Sequence, residues 1–147
     1  MLITPFAQLT TVQLYAILKL RQDVFINEQQ SIYPDIDELD KEALHMQIFH
    51  KQQLAAYCRL RPDARLSCYK IERVVTHPLH RGRGLGKQLM TAALTEIRRS
   101  GSYMKVALSA QLQVVDFYAS WGFVATGEIY DDGGIMHRDM WMELANK

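Results

Sequence analysis

Hydrophobic positions along the chain recur with helical spacing in some segments and with strand-like runs in others. Helical spacing runs from a Thr-x-x-Gln capping box at residues 10–13 to about Asn27. A second helix is predicted from the glycine-rich stretch 82–86 to Ser100, with Gly101 just after its end, and a third over residues 112–121. The predicted strands cover residues 1–6, 45–50, 54–60, 69–77, 103–110, 123–130 and 135–144.

This order of elements predicts an α/β fold with a mixed central sheet, because right-handed crossovers around the two central helices leave few other topologies. We expect one domain over residues 1–147, since the chain has no linker, repeat or low-complexity tract. The polar, acidic stretch 28–42 is too long for an incidental turn and predicts a functional loop with a short helix.

Composition narrows the classes of partner. The 17 basic and 16 acidic side chains nearly cancel, so no overall field attracts nucleic acid or an anionic membrane. The sequence shows no transmembrane run and no signal peptide, which predicts a cytoplasmic protein. Two cysteines without C-x-x-C spacing favour neither disulfides nor a metal site.

The most informative segment follows the strand at 69–77 and reads Arg-Gly-Arg-Gly-Leu-Gly-Lys at residues 81–87. Gly82, Gly84 and Gly86 give backbone freedom and let N–H groups approach a ligand closely. The helix that follows points its positive dipole end at the same loop, where Arg81, Arg83 and Lys87 add charge. This combination predicts a pyrophosphate-binding loop.

Two nucleotide-binding motifs fail in register. A dinucleotide fingerprint counted from Gly82 needs glycine where Lys87 stands. A Walker A loop ending at Gly86-Lys87 needs Ser or Thr where Gln88 stands. A glycine-rich turn that merely starts the helix is the structural alternative, although turn chemistry alone does not explain three cations at this spacing.

The Arg-x-x-Gly-x-Gly pattern at residues 81–86 resembles the coenzyme A loop of the GCN5-related N-acetyltransferase (GNAT) superfamily. The stretch from Phe117 to Phe123 resembles the family's Tyr-x-x-x-Gly-Phe motif, and the element order agrees from about residue 10 to the last strand. Further residues resemble the ElaA-type branch. They are Leu20-Arg21, Val24-Phe25, Glu28-Gln29, Tyr33, Asp37, Asp40, His45-Met46, residues 109–111 and the hairpin 132–137.

The resemblance implies a GNAT fold in which the fourth and fifth strands diverge, and acetyl-CoA as cosubstrate without a metal. Backbone N–H groups from Arg81 to Lys87 would hold its pyrophosphate, and one near Val74, Val75 or Thr76 would stabilise the oxyanion. Gln111 stands where many relatives have an asparagine that contacts the coenzyme arm. Tyr118 would protonate the departing thiolate, although a tyrosine in the core would show the same helical pattern.

An ammonium acceptor must lose protons before it can attack, so a base is needed. Glu72, acting through water, and His45 are the candidates, and each has a structural alternative as an ion-paired or hydrogen-bonded residue. By strand alternation Glu72 shares a face with Val74 and Thr76 unless a bulge intervenes. The nominated acceptor-binding residues are Glu28, Tyr33, Asp37, Asp40, His45 and His137.

The resemblance therefore implies an N-acetyltransferase that acts on the primary amine of a small molecule or peptide. The alternative is a domain that binds acyl-CoA and senses it without catalysis. A solvated acidic loop is the alternative to an acidic acceptor pocket. Met140 and Trp141 favour core or a homodimer surface over a ligand site.

Overall fold

The computed structural model describes residues 1–145, so the last two residues of the predicted domain lie outside the described part of the chain. A seven-stranded sheet has the order β1-β2-β3-β4-β5-β7-β6, in which β4 and β5 are parallel and every other neighbouring pair is antiparallel. This mixed α/β arrangement confirms the predicted fold class. The strands are β1 Leu2–Pro5, β2 Leu44–His50, β3 Gln53–Asp63, β4 Cys68–Thr76, β5 Lys105–Gln111, β6 Val124–Asp132 and β7 Ile135–Glu143.

Helices cover both faces of the sheet. The α-helices are α1 Thr11–Arg21, α2 Leu85–Ser100 and α3 Val115–Ala119. Helix α1 packs on one face with Ile17, Leu20, Tyr57 and Val75 in its core. Helix α2 packs on the other face over a larger core that includes Leu89 and Ile97. The two faces carry separate apolar layers, which is why residues 54–58 of β3 are buried and apolar on both sides.

The capping box at the start of α1 is confirmed. Thr10 Oγ1 accepts a hydrogen bond from the Gln13 N–H at 3.0 Å, and Gln13 Oε1 accepts one from the Thr10 N–H at 3.0 Å. The helix does not continue in α form to Asn27 as predicted, because Gln22–Glu28 forms a wider π-helical turn. Val24 and Phe25, which follow the predicted helical spacing, are both buried in that turn.

Strand β3 is longer than predicted, since it continues through Pro62 to Asp63. The last β2 partner of β3 is Leu60, so Pro62 pairs only with Tyr69 of β4. The missing N–H of Pro62 therefore interrupts no ladder on the side of β2, and proline is tolerated there as at a sheet edge. The acidic stretch contains the predicted short helix, a 3₁₀ turn at Leu39–Glu42.

Candidate active site

The parallel strands β4 and β5 pair over only three residues each and then separate. The paired residues are Cys68 with Lys105, Tyr69 with Val106, and Lys70 with Ala107. Beyond them a cavity of about 540 Å³ opens between the strands. Strand β4 lines it with residues 71–76, and the end of β5 and the turn after it line it with residues 109–111 and 113–114. Helix α3 contributes Phe117 and Tyr118, and the last hairpin contributes Asp132, Ile135 and His137. Arg81 and residues of the π-helical turn and of the loop after it complete the lining.

A β-bulge at Arg73 shapes the β4 wall. Arg73 has a φ of +56°, and the register with β3 shifts between Tyr57 and Arg59. The bulge places Val74 against the α2 core and Val75 against the α1 core. Glu72 bonds to arginines on the side of α1, so it does not share a face with Val74 as simple alternation predicts. The sequence did not decide whether a bulge interrupts this strand, and the structure contains one.

The glycine-rich loop precedes α2 and is exposed to solvent. Gly82 and Gly84 have φ of +80° and +73°, and the helix begins after Gly84. Among residues 1–145, the backbone N–H groups of Gly82 to Lys87 have no hydrogen-bond acceptor in the protein. Such N–H groups at a helix start are the donors that a bound pyrophosphate requires. The residues present therefore fit the diphosphate of a coenzyme.

Gly86 differs from the other two glycines. It lies in the first turn of α2 with helical backbone, and an added Cβ would stand 3.6 Å from Phe117 Cζ, an ordinary contact distance. The expectation that all three glycines supply unusual backbone conformations is therefore wrong for Gly86 and right for Gly82 and Gly84. A Cβ at position 86 would fit beside the ring of Phe117 on α3.

Tyr118 lies on α3 at the inner end of the cavity. Its side chain is 7% exposed, and its ring meets that of Phe123 edge-on with centroids 6.1 Å apart. Burial raises the pKa of the Tyr118 phenol, so the hydroxyl keeps its proton over the whole neutral range. Tyr118 is packed in the core, as the structural interpretation predicts, and it also lines the cavity.

Glu72 is held by two arginines of β3. Arg59 Nε donates to its Oε2 at 2.9 Å, and Arg61 Nη2 donates to its Oε1 at 2.7 Å. Burial opposes ionisation of Glu72, but the hydrogen bonds from these arginines outweigh it and lower the pKa of the carboxyl group. Glu72 lines the cavity as an ionised, fully paired carboxylate, which is a weak base.

Asp37 and Asp40 belong to the same buried ion network and do not line the cavity. Arg59 Nη1 donates to Asp37 Oδ1 at 2.8 Å and to Asp40 Oδ1 at 2.9 Å, while Arg21 Nη1 donates to Asp40 Oδ1 at 2.7 Å. Burial opposes the ionisation of both aspartates, yet these arginines lower the pKa of each. The structure therefore uses this part of the acidic loop to neutralise buried arginines.

His45 is fully buried in β2, away from the cavity. Its Nδ1 lies 2.7 Å from the Tyr57 hydroxyl, and its Nε2 lies 2.8 Å from the Asp40 carbonyl oxygen. Burial lowers the pKa of His45, so the ring is neutral at pH 7 with both nitrogens occupied. This is the hydrogen-bonding placement that the sequence offered as the alternative to catalysis.

Glu28, Tyr33 and His137 do line the cavity. The Tyr33 hydroxyl donates to Asp35 Oδ1 at 2.8 Å, and the Arg73 guanidinium lies 5.2 Å from the centroid of its ring. The last hairpin closes this side, because the Ser31 hydroxyl donates to the Gly133 carbonyl at 2.8 Å. Gln111 also lines the cavity and donates to Gln29 Oε1 at 3.0 Å.

Several residues of the site were not predicted. Arg73, Ser31 and Ser109 line the cavity, and Arg21 and Arg59 form the ion network beneath it. Two arginines separated by one residue in the apolar strand β3 are a signal for buried carboxylate partners, since arginine is almost never fully buried unpaired. For Ser31 the sequence carries no signal, because its partner Gly133 is distant in the chain.

Within residues 1–145 no group of three or more His, Cys, Asp or Glu side chains is arranged to hold a metal ion. None of the helices in the described part of the chain is long and apolar enough to cross a membrane.

Comparison with known proteins identifies the family. Residues 12–144 match the model of the acetyltransferase (GNAT) domain. Protein ElaA of Escherichia coli is 36% identical over 141 residues, covering 94% of this chain and 92% of ElaA, and its crystal structure superposes with a TM-score of 0.89. An acyl-CoA N-acyltransferase from Pseudomonas aeruginosa is 38% identical, with a TM-score of 0.89 and coverage of 95% of this chain and 96% of that one.

The fold is also similar to that of an aminoglycoside 6′-N-acetyltransferase in complex with coenzyme A. That structure has a TM-score of 0.77 and 13% identity, and it covers 100% of this chain and 99% of its own. The likeness at this identity is one of fold. Together with the divergent strands and the glycine loop, the matches show that this chain belongs to the GNAT family of N-acyltransferases, in its ElaA-type branch.

Proposed function

We propose that the protein transfers an acetyl group from acetyl-CoA to the primary amine of a small molecule or peptide. One observation carries the proposal: a single cavity joins unpaired β4 backbone, the Tyr118 ring and a polar wall, and Arg81 of the glycine loop stands at its edge. This arrangement supplies groups for a thioester, its leaving thiolate and an acceptor. The similarity to an acyl-CoA N-acyltransferase supports the same chemistry.

The coenzyme would be held first through its phosphates. The unpaired N–H groups of Gly82 to Lys87 and the positive end of α2 would bind the pyrophosphate, with the side chains of Arg81, Arg83 and Lys87 around it. The coenzyme arm would lie between residues 71–76 and 109–111, where the sheet is open. When bound, acetyl-CoA supplies an activated acetyl group as a thioester.

The chain's own groups would then assist the transfer. Within residues 1–145, the edge of β4 from residue 74 to residue 76 has no strand partner on the side of β5. An N–H of Val74, Val75 or Thr76 would therefore donate to the acetyl carbonyl oxygen. The Tyr118 hydroxyl, which keeps its proton at neutral pH, would donate that proton to the leaving sulfur. The ionised Glu72 would fix Arg59 and Arg61 beneath the bulge that orients these N–H groups.

The acceptor would enter on the side of the π-helical turn and the last hairpin. Glu28 supplies a carboxylate for its ammonium group, and Tyr33 and His137 supply further polar contacts. Asp37, Asp40 and His45 would act on the acceptor indirectly, because their hydrogen bonds anchor the loop that carries Tyr33.

Calorimetric titration of acetyl-CoA, with coenzyme A, ATP and NAD as controls, tests the coenzyme site. The two CoA ligands alone should bind, and Gly84→Glu should abolish binding by placing a carboxylate among the pyrophosphate donors. Gly101→Glu is a matched control at the other end of α2, because Gly101 also has positive φ, +67°, and open space at its Cβ. Equal binding of ATP, or equal loss in both variants, would contradict the assignment.

A panel of primary amines then tests transfer, with release of the CoA thiol as the readout. Turnover of any amine, confirmed by mass spectrometry of its amide, supports the enzyme. Tight CoA binding without turnover of any amine would instead identify an acyl-CoA sensor.

A further inference from the structure

His137 lies in β7 and is one of the residues that line the cavity. Its Cα partners are Gln111 at the end of β5 and Tyr130 of β6, which places it beside the point where β4 and β5 have separated. The residue is half-buried and lines the same cavity as Tyr118. Its ring stacks on Tyr130 with an interplanar angle of 24° and centroids 6.1 Å apart, which limits its rotation.

The hydrogen bonds of the ring define its tautomer. His137 Nδ1 lies 2.7 Å from the Ile135 carbonyl oxygen. A carbonyl oxygen only accepts, so Nδ1 carries the proton and the neutral ring has its lone pair on Nε2. Nε2 of His137 has no hydrogen-bond partner among residues 1–145. A half-buried imidazole with an oriented and unoccupied Nε2 is suited to accept a proton.

The other two candidate bases lack this property. The Glu72 carboxylate accepts hydrogen bonds from Arg59 and Arg61, so its lone pairs are engaged and its proton affinity is reduced. Both nitrogens of His45 have partners, and the residue lies outside the cavity. Glu28 lies at the mouth with its carboxylate bound to Arg81.

We propose that Nε2 of His137 is the general base that removes a proton from the acceptor's ammonium group. The proposal rests on the proposed function. An N–H bond of the ammonium breaks and an Nε2–H bond forms, and the freed electron pair forms the bond to the acetyl carbon. The C–S bond of the thioester breaks, and sulfur takes the proton of Tyr118. The second proton lost by nitrogen restores Tyr118, and His137 releases the first to solvent, so one proton is released per amide formed.

The charged and titratable groups around His137 come from every wall of the cavity. Tyr130 lies against the ring itself and donates to Asp139 Oδ1 at 2.7 Å. The others that line the cavity are Glu28, Tyr33, Glu72, Arg73, Arg81, Tyr118 and Asp132. A general base must be unprotonated to act, so the acid limb of the rate profile is the readout for the base.

The kinetic test compares His137→Gln with wild type on two amines. The first is the alkyl amine that is turned over fastest in the panel, for example benzylamine, and the second is its aromatic counterpart, for example aniline. Alkyl ammonium groups need deprotonation at pH 7, whereas an aniline nitrogen is already neutral. We expect His137→Gln to lower kcat/KM for the alkyl amine by about 100-fold or more and to remove the acid limb of its pH profile. Turnover of the aromatic amine should fall far less. His50→Gln, on an exposed histidine outside the cavity, is the matched control.

Equal losses on both amines, or an unchanged acid limb, would overturn the assignment of the base while leaving acetyl transfer intact. A second measurement needs no acceptor: two-bond ¹H–¹⁵N spectra of the labelled protein, with the His137→Gln spectrum to assign the ring. The Nδ1–H tautomer is expected for His137. An Nε2–H tautomer would overturn the proposal, even if wild type proved inactive towards all amines and the proposed function failed.

Discussion

Arg81 and Glu28 form an ion pair across the mouth of the cavity, with Arg81 Nη2 donating to Glu28 Oε2 at 2.8 Å. Arg81 belongs to the predicted pyrophosphate loop, and Glu28 ends the π-helical turn on the acceptor side. Their side chains are 46% and 42% exposed, so the pair contributes little to stability. A pyrophosphate bound by Arg81 would compete with Glu28 and leave its carboxylate for a cationic acceptor.

This relationship predicts opposite effects of Glu28→Gln on the two substrates. The affinity for coenzyme A should rise by up to about five-fold, because the carboxylate no longer competes for Arg81. The KM of an ammonium acceptor should rise as well, since its counter-charge is lost. Calorimetry of coenzyme A and steady-state kinetics with the best amine measure the two effects.

Glu38→Gln is the control, because Glu38 forms its ion pair with Lys41 at the surface and does not line the cavity. It should alter neither quantity. Weaker coenzyme binding by Glu28→Gln would contradict the competition between carboxylate and pyrophosphate.

Tyr118→Phe should lower kcat by about 100-fold or more, because it removes the proton donor for the thiolate while the buried ring remains. The dissociation constant of coenzyme A should stay within about two-fold of wild type, which separates chemistry from binding. Tyr69→Phe removes the hydroxyl of another tyrosine in the same core, one that bonds to Ser100, and should leave kcat unchanged. A parallel fall in coenzyme affinity and kcat would argue against Tyr118 as the acid.

The sequence indicates most directly those features of the candidate site that are local in the chain. The loop 81–87 carries its glycines, its cations and its helix start within a few residues, and its N–H groups from Gly82 to Lys87 have no acceptor within residues 1–145. Tyr118 lies in a compact motif on one short helix. Such features follow from backbone geometry and helix ends, which short-range sequence determines.

The acidic loop shows why the rest was not predicted. Asp37 and Asp40 have no basic partner nearby in sequence other than Lys41. The sequence therefore favours carboxylates that are solvated or that bind a ligand. Their partners Arg21 and Arg59 come from α1 and β3, and only the tertiary fold brings them together. The sequence alone does not determine the bulge at Arg73 either. The arginine there is held by ion pairs with Asp35 and Asp37, which are distant in the chain.

Arg59 is expected to be the residue of this network most sensitive to substitution. It is 1% exposed and pairs with Asp37, Asp40 and Glu72. Arg59→Met would leave these carboxylates short of their main partner, at a cost of about 3–5 kcal/mol in the free energy of unfolding. Urea denaturation measures the loss. Lys41→Met, which breaks an exposed pair with Glu38, should change stability by less than about 1 kcal/mol.

The same network predicts acid sensitivity of the wild type. The pKa values of Asp37, Asp40 and Glu72 are lowered in the folded state, so the unfolded chain binds protons first as pH falls. Their stabilisation is complete above the unfolded pKa values of about 4 and is lost progressively below them. The free energy of unfolding should therefore fall between about pH 4.5 and pH 3. A flat profile over this range would contradict the ion pairing.

We expect a substitution at the tip of the last hairpin to alter the binding of the acceptor and not the binding of the coenzyme. Gly133 has a φ of +63°, and a Cβ added there would overlap the Ser31 hydroxyl oxygen. Gly133→Ala is therefore expected to push the hairpin from the loop that carries Ser31 and Tyr33, and to raise the KM of the amine at unchanged coenzyme affinity. Gly134→Ala is a matched control, because Gly134 also has positive φ, +85°, but open space at its Cβ.

Both alanines add backbone strain of about 1–2 kcal/mol, so the difference between the variants isolates the overlap with Ser31. Thermal unfolding and amine kinetics of the two variants, measured side by side, give this difference. Gly133→Ala should lower Tm further than Gly134→Ala, and it alone should raise the amine KM. Identical effects in the two variants would mean that the hairpin contact at Ser31 does not shape the acceptor pocket.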